Sequence, residues 1–198
     1  MSEITYENNI TNEEQWRKLS DECLNCQKCA LYKTRKNIVF GKGSHSAKIM
    51  FIGEAPGETE DREGLPFVGR AGKLLDKYMY NFDFTPENVY TANILKCRPP
   101  GNRDPEESEQ ESCIGYLRMQ TKLLNPGIIV CLGRISAMKI IKPDFRITQE
   151  HGKWFKKGDI YMTAIYHPSA LLRDPAKKQD AFADFKSVRE KAAELNLL

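Results

Sequence analysis

The stretch Lys48-Ile49-Met50-Phe51-Ile52-Gly53-Glu54-Ala55-Pro56-Gly57 decides the fold. Its apolar run is too short for a helix and is stopped by a glycine, so it reads as a strand buried on both faces. Turn-forming and acidic residues follow at once, so the strand delivers the chain into a polar loop. Working outward, the same signature returns at Val89-Tyr90-Thr91-Ala92-Asn93-Ile94, which closes near Asn93. It returns again at Gly127-Ile128-Ile129-Val130-Cys131-Leu132-Gly133 and from Asp159 to Ile165. Helical patterns lie between and around these runs. A short polar helix spans Glu13 to about Glu22. Ala71 to Phe82 carries Leu74, Leu75, Tyr78 and Met79 on one side. Pro105 to about Leu124 opens with a proline and acids, as the helix dipole favours. Another helix follows Gly133 through about Ile141, and an amphipathic helix runs from Asp180 to Leu195. Near-continuous apolar strands alternating with helices predict an α/β fold. The expected form is a three-layer sandwich: a central, mainly parallel four-stranded sheet flanked by helices on both faces. A chain of 198 residues suits a single domain, with residues 1–12 as a flexible tail.

Thirty Lys+Arg against twenty-seven Asp+Glu leave a net charge of +3. Bulk charge therefore announces no nucleic-acid binder, and any basic surface must be a local patch. A hydrophobic share of 40% beside 29% charged residues excludes general disorder. No apolar run reaches membrane-spanning length, and the opening MSEITYENNITNEEQW has no signal-peptide core. These features predict a cytoplasmic protein. In that reducing compartment six cysteines call for an explanation other than disulfides. Cys23, Cys26 and Cys29 fall within seven residues, a spacing that points to a metal or a cluster. Cys97 and Cys113 are further candidates, while Cys131, inside an apolar strand run, reads as core. Spacing alone does not choose between Cys23 and Cys26, nor between iron–sulfur and zinc.

Ligands of open α/β sheets sit at the carboxyl ends of the strands. Four loops begin there, at Gly53-Glu54, Asn93, Gly133 and His167. The loop Gly53 to Asp61 mixes glycines with Glu54, Glu58, Glu60 and Asp61. It lacks the lysine and spacing of a phosphate loop. Its carboxylates would be solvated, hold a metal or act as bases. In Leu65-Pro66-Phe67-Val68-Gly69 the aromatic is either a stacking platform for a planar ligand or a core anchor. Asn93 is either a turn former or a fixed amide that reads a hydrogen-bonding edge. In Tyr166-His167-Pro168-Ser169-Ala170-Leu171-Leu172-Arg173 a histidine directly follows a strand, and two leucines form a tip. His45 and His151 read as solvated loop residues. Arg70, Arg98, Arg103 and Arg173 flank these motifs as a cationic rim suited to phosphate contacts.

Together these segments resemble the family 4 uracil-DNA glycosylases, the iron–sulfur branch of the uracil-DNA glycosylase superfamily. The carriers span about Cys26 to Lys186. They are Cys26-Gln-Lys-Cys29-Ala-Leu31 with Arg35, Phe40-Gly-Lys-Gly43, Gly53-Glu-Ala-Pro-Gly57 and Gly64-Leu-Pro-Phe-Val-Gly-Arg-Ala-Gly72. Further along come Asn93-Ile-Leu-Lys-Cys-Arg-Pro-Pro100, Asn102-Arg103, Cys113 and His167-Pro-Ser-Ala-Leu-Leu-Arg173. The resemblance implies hydrolysis of the N-glycosidic bond of uracil flipped out of single- or double-stranded DNA, leaving an abasic site. It implies Phe67 beneath the base, Asn93 on its edge and His167 on O2, with Gly53, Ala55 and Gly57 lining the pocket. Leu171 falls at the superfamily's wedge, with Leu172, Arg173, Arg98 and Arg103 facing DNA. Ala55 stands where the best-known branch carries a water-orienting Asp, which leaves Glu60 and Glu54 as candidates for that role. Glu60 would otherwise exclude thymine, because Gly57 replaces a bulky Tyr used elsewhere. The family pattern also implies a 4Fe–4S cluster on Cys26, Cys29, Cys97 and Cys113, with Cys23 an extra thiol nearby. The expected state is a monomer without membrane attachment, and no protein partner is indicated. A non-catalytic iron–sulfur DNA-binding module of the same fold is the rival reading, but it would call for decayed motifs.

Overall fold

A computed structural model describes residues 11–198. The expected tail therefore lies outside the described residues up to position 10, and its last two positions are ordered. Thr11 Oγ1 accepts the Glu14 N–H at 3.3 Å, and the Glu14 carboxylate accepts the Thr11 N–H at 2.7 Å. This capping box starts helix α1 (Asn12–Leu24). The chain continues through β1 (Lys42–Gly43), β2 (Ile49–Gly53), α2 (Glu58–Glu63), α3 (Arg70–Asn81) and β3 (Val89–Asn93). Then come α4 (Glu107–Leu124), β4 (Ile128–Leu132), α5 (Arg134–Ile140) and α6 (Ile147–Glu150). The last elements are β5 (Phe155–Lys157), β6 (Ile160–Ile165), α7 (Pro168–Arg173) and α8 (Lys178–Glu194).

The sheet runs β1-β3-β2-β4-β6-β5. Its four inner strands are the four expected ones, all parallel. The sheet has six strands rather than four, because β1 and β5 pair antiparallel at its two edges. Both edges are very short. β1 is flanked by glycine, and β5 ends in two exposed lysines, so neither shows an apolar run. Such features also blunt an edge against pairing with other chains.

The inner strands alternate faces despite their continuous hydrophobicity. Ile49, Phe51, Ile128 and Val130 meet Leu75, Tyr78, Phe185 and Val188 of α3 and α8. Met50, Ile52, Ile129 and Cys131 meet Trp16, Ile114, Leu117 and Ala137 of α1, α4 and α5. Helices thus cover both faces, as expected, and Cys131 is core. A third apolar cluster joins Leu19, Cys23, Leu31, Leu95, Cys97, Cys113 and Tyr116 at one corner. The two loop histidines are not solvated bystanders. His45 stacks on Trp16 with ring centroids 4.2 Å apart, and His151 Nδ1 lies 2.8 Å from the Asp184 carboxylate. Both partners are distant in sequence, so a local reading could not see them.

Candidate active site

The register pairs Gly53 at the end of β2 with Asn93 at the end of β3. That pairing is the seed of a cleft of about 540 Å³ at the carboxyl edge of the sheet. Glu54, Ala55, Gly57, Glu60, Phe67, Asn93, Arg103, His167 and Arg173 all line it. Gly53 does not line the cleft itself but lies packed between the Asn93 amide and the Phe67 ring. A methyl group there would overlap Asn93 Oδ1 and lie 2.6 Å from Phe67 Cζ, so only glycine lets the amide and the ring approach each other.

Phe67 sits at φ 55°, a left-handed conformation that an aromatic residue rarely adopts. The surroundings impose it. The Glu60 carboxylate accepts the N–H groups of Val68 at 3.0 Å and Gly69 at 2.7 Å. Below, α3 passes so close that a side chain on Gly72 would run into the Phe67 carbonyl. The loop is therefore clamped from both sides, and the Phe67 ring stands 6.2 Å from the His167 ring at 38°.

Asn93 is 3% exposed. Its backbone is fixed: Ile94 N–H donates to the Gly53 carbonyl at 3.0 Å, and Lys96 Nζ donates to the Asn93 carbonyl at 3.0 Å. Among the described residues nothing hydrogen-bonds the Asn93 side-chain amide, so both its donor and its acceptor remain for a ligand. His167 caps α7. Its Nδ1 accepts the Ser169 N–H at 3.2 Å and lies 2.7 Å from Ser169 Oγ. A nitrogen that accepts an N–H carries no proton, so the neutral ring bears its hydrogen on Nε2. Burial, with Arg173 nearby, pushes the imidazole down to about 4. The ring is thus a neutral N–H donor at physiological pH.

The two candidate carboxylates differ. Glu60 is the loop clamp just described. Glu54 is pushed up to about 7 by burial and by the Asp104 carboxylate, with Arg134 opposing. Arg134 and Asp104 pair at 2.8 Å on the cleft rim. Neither was singled out from the sequence. Arg134 was legible in principle, because it directly follows Gly133, one of the four strand-end turns.

The residues expected to face DNA divide. Leu171 is 1% exposed and packs into the core between sheet and α8, so it cannot be the wedge. Leu172, its neighbour, is 40% exposed and turned outward. Arg103 is not a free rim cation: its guanidinium grips Glu109 at 2.6 and 2.9 Å and reaches Glu106 at 3.1 Å. Arg98 donates to Asn102 Oδ1 at 2.7 Å. Arg173, on the cleft wall, has no carboxylate partner among the described residues, and Arg70 is exposed at the start of α3.

Cys26, Cys29, Cys97 and Cys113 line one small cavity between α1 and α4, together with the buried Cys23. Arg35 Nη1 donates to Cys97 Sγ at 3.5 Å, and the Lys96 N–H donates to Cys113 Sγ at 3.3 Å. N–H groups aimed at sulfur suit thiolate ligands. Among the described residues no three His, Cys, Asp or Glu side chains form a single-ion site. A tetrathiolate zinc would draw its sulfurs to about 2.3 Å of one point. Four cysteines on one cavity supply the number of thiolates that a 4Fe–4S cluster takes.

Fold and cleft define a class, and comparison with known proteins agrees: residues 40–189 match the Uracil DNA glycosylase superfamily, and the chain belongs to it. Its relatives narrow this further. It is 44% identical over 179 residues to the type-4 uracil-DNA glycosylase of Archaeoglobus fulgidus, covering 85% of this chain and 89% of that protein. It is 45% identical over 181 residues to the one from Saccharolobus solfataricus, covering 87% and 84%. The Sulfurisphaera tokodaii enzyme is 44% identical over 184 residues, covering 88% and 84%. The chain is a member of this type-4 family. Among the described residues no helix is long and apolar enough to cross a membrane.

Proposed function

We infer that this chain is a DNA-repair glycosylase that takes uracil out of the base stack and hydrolyses its N-glycosidic bond, leaving an abasic site. The observation that carries this reading is the convergence of Phe67, Asn93 and His167 on one cleft, each held by a separate device. Phe67 offers an apolar face for a planar ring. The free Asn93 amide donates to O4 and accepts from N3–H, whereas cytosine presents the reverse pattern. His167 Nε2–H donates to O2. Bond cleavage leaves negative charge on the departing pyrimidine, and a fixed neutral donor there stabilises the transition state without a proton transfer. Glu54, poised near 7, is the group that orients and deprotonates water. Glu60 holds the Phe67 loop. Its Oε2 also fills the space beside Gly57, where a Cβ would lie 2.7 Å away, and this supports a share in excluding thymine.

Cys26, Cys29, Cys97 and Cys113 hold a 4Fe–4S cluster in this reading. The cluster supplies a cross-link between the end of α1 and α4. The substrate is uracil in single- or double-stranded DNA, met by a local rim that includes Arg173, Arg70 and Arg98, with Leu172 as the wedge. The protein acts as a cytoplasmic monomer. A DNA-binding module without catalysis would have no use for a neutral histidine and a carboxyl raised to about 7 lining one cleft. Incubating cluster-loaded protein with a uracil-containing oligonucleotide, followed by alkali, should cleave the strand at uracil. No cleavage above a buffer control would overturn the reading.

A further inference from the structure

We propose that Lys96 is a positioning residue that ties the cysteine corner to the amide reading the base, an inference that rests on the cleft being the uracil pocket. Lys96 is 1% exposed. Its Nζ donates to the Asn93 carbonyl at 3.0 Å and to Gln120 Oε1 at 2.7 Å. Its backbone N–H donates to Cys113 Sγ at 3.3 Å. One residue therefore touches the backbone of the base-reading strand end and a sulfur of the proposed cluster. Gln120 is fixed in turn, donating through Nε2 to the Phe40 carbonyl at 3.0 Å and to Tyr90 Oη at 3.1 Å. The anchor beneath Asn93 is thus built from α4, β3 and the segment before β1.

Stability alone does not call for a lysine here. Burying an amine is costly, and a linear apolar side chain of similar length would fill the same space more cheaply. What lysine adds is a donor that reaches the last carbonyl of β3. That carbonyl belongs to the last paired residue of the ladder, where the strand gives way to Ile94-Leu95-Lys96-Cys97. Without the donor, the Asn93–Ile94 peptide keeps only its Ile94 N–H bond to the Gly53 carbonyl, and a tilt about that single bond carries the Asn93 amide off the uracil edge. Misplacement on the order of 1 Å in such a site can cost about a hundredfold in rate.

The test is Lys96→Met, assayed beside the wild type for iron content, visible absorbance, melting temperature, inhibition by free uracil, and steady-state excision. Positioning predicts an iron content like wild type, a KM for DNA within about threefold, and weakened uracil inhibition. That weakening should be about tenfold, as for one lost hydrogen bond, with kcat down about 10- to 100-fold. Gln120→Met, which leaves Lys96 in place but removes one of the two acceptors that hold its Nζ, should move uracil inhibition in the same direction by less. A purely structural lysine would instead lower the melting temperature or iron content while each folded, loaded molecule kept wild-type uracil inhibition and kcat. That result, or failure of both variants to fold, overturns the proposal. A wild-type protein that neither releases uracil nor is inhibited by it overturns the functional reading, and this inference with it.

Discussion

His167 and Glu54 carry opposite tuning, and the difference is measurable. His167 is held neutral, with its folded value at about 4, so its ring does not change charge between pH 5 and 8. Replacing it with alanine removes one donor to the developing charge and should lower kcat about 10²- to 10³-fold. Steady-state excision with circular dichroism of the variant checks this, and a folded variant with wild-type kcat would refute the assignment. Glu54 must be ionised to accept a proton from water. Its value is raised from 4.5 to about 7, so the excision rate should rise with pH through about 7. Glu54→Gln should lower kcat and flatten that limb. The sign for stability follows from the same shift. The fold favours protonated Glu54, so the wild type loses stability between pH 4.5 and about 7, as the buried carboxyl ionises. Glu54→Gln should melt higher than wild type above pH 7 and equally below pH 4.5. A melting difference that does not change with pH would refute the tuning. At this scale the motif residues were legible, because each belongs to a short signature at a strand end. The roles of the two glutamates were not, because the bonds from Glu60 to Val68 and Gly69 depend on how the loop folds back.

At the scale of elements, α7 shows how little separates a core residue from a functional one. It is six residues long, and consecutive helical side chains point about 100° apart. Leu171 therefore turns into the sheet while Leu172 turns out. Nothing in the pair Leu-Leu says which way the helix is rotated; the packing of Pro168 and Leu171 against the core decides it. Leu171→Ala should cost about 2–5 kcal/mol of stability, as for a truncated core leucine. Leu172→Ala should leave the melting temperature unchanged and slow excision from duplex DNA more than from single strands, because only the duplex has a gap to fill. Thermal melts and paired excision assays separate the two, and the opposite pattern would return the wedge to Leu171. The same physics explains the missed edge strands. Inner strands announce themselves because both faces are buried, whereas β1 and β5 exist mainly through pairing with β3 and β6.

For the whole molecule, a charge of +3 is compatible with DNA binding because much of the rim charge is already spent within the protein. Arg103 serves Glu109 and Arg134 serves Asp104, which leaves cations such as Arg173 for phosphate. The cysteine corner has the opposite economy. It gathers residues from α1, from the segment after β3 and from α4, and its apolar cluster is built partly from the cysteines themselves. A corner assembled from segments so far apart in the chain gains most from a cross-link between them. Cys26→Ala should therefore lose iron and brown colour, and the α1–α4 corner should exchange amide hydrogens faster while the central sheet stays protected. Cys23 also lines that cavity but is fully buried in the apolar cluster. Cys23→Ala should keep its iron and show only the small stability loss of a truncated core residue. Iron analysis and hydrogen exchange of the two variants decide the matter. Iron retained by Cys26→Ala and lost by Cys23→Ala would reassign the ligand, a choice that the spacing Cys-x-x-Cys-x-x-Cys leaves open because both pairs share it.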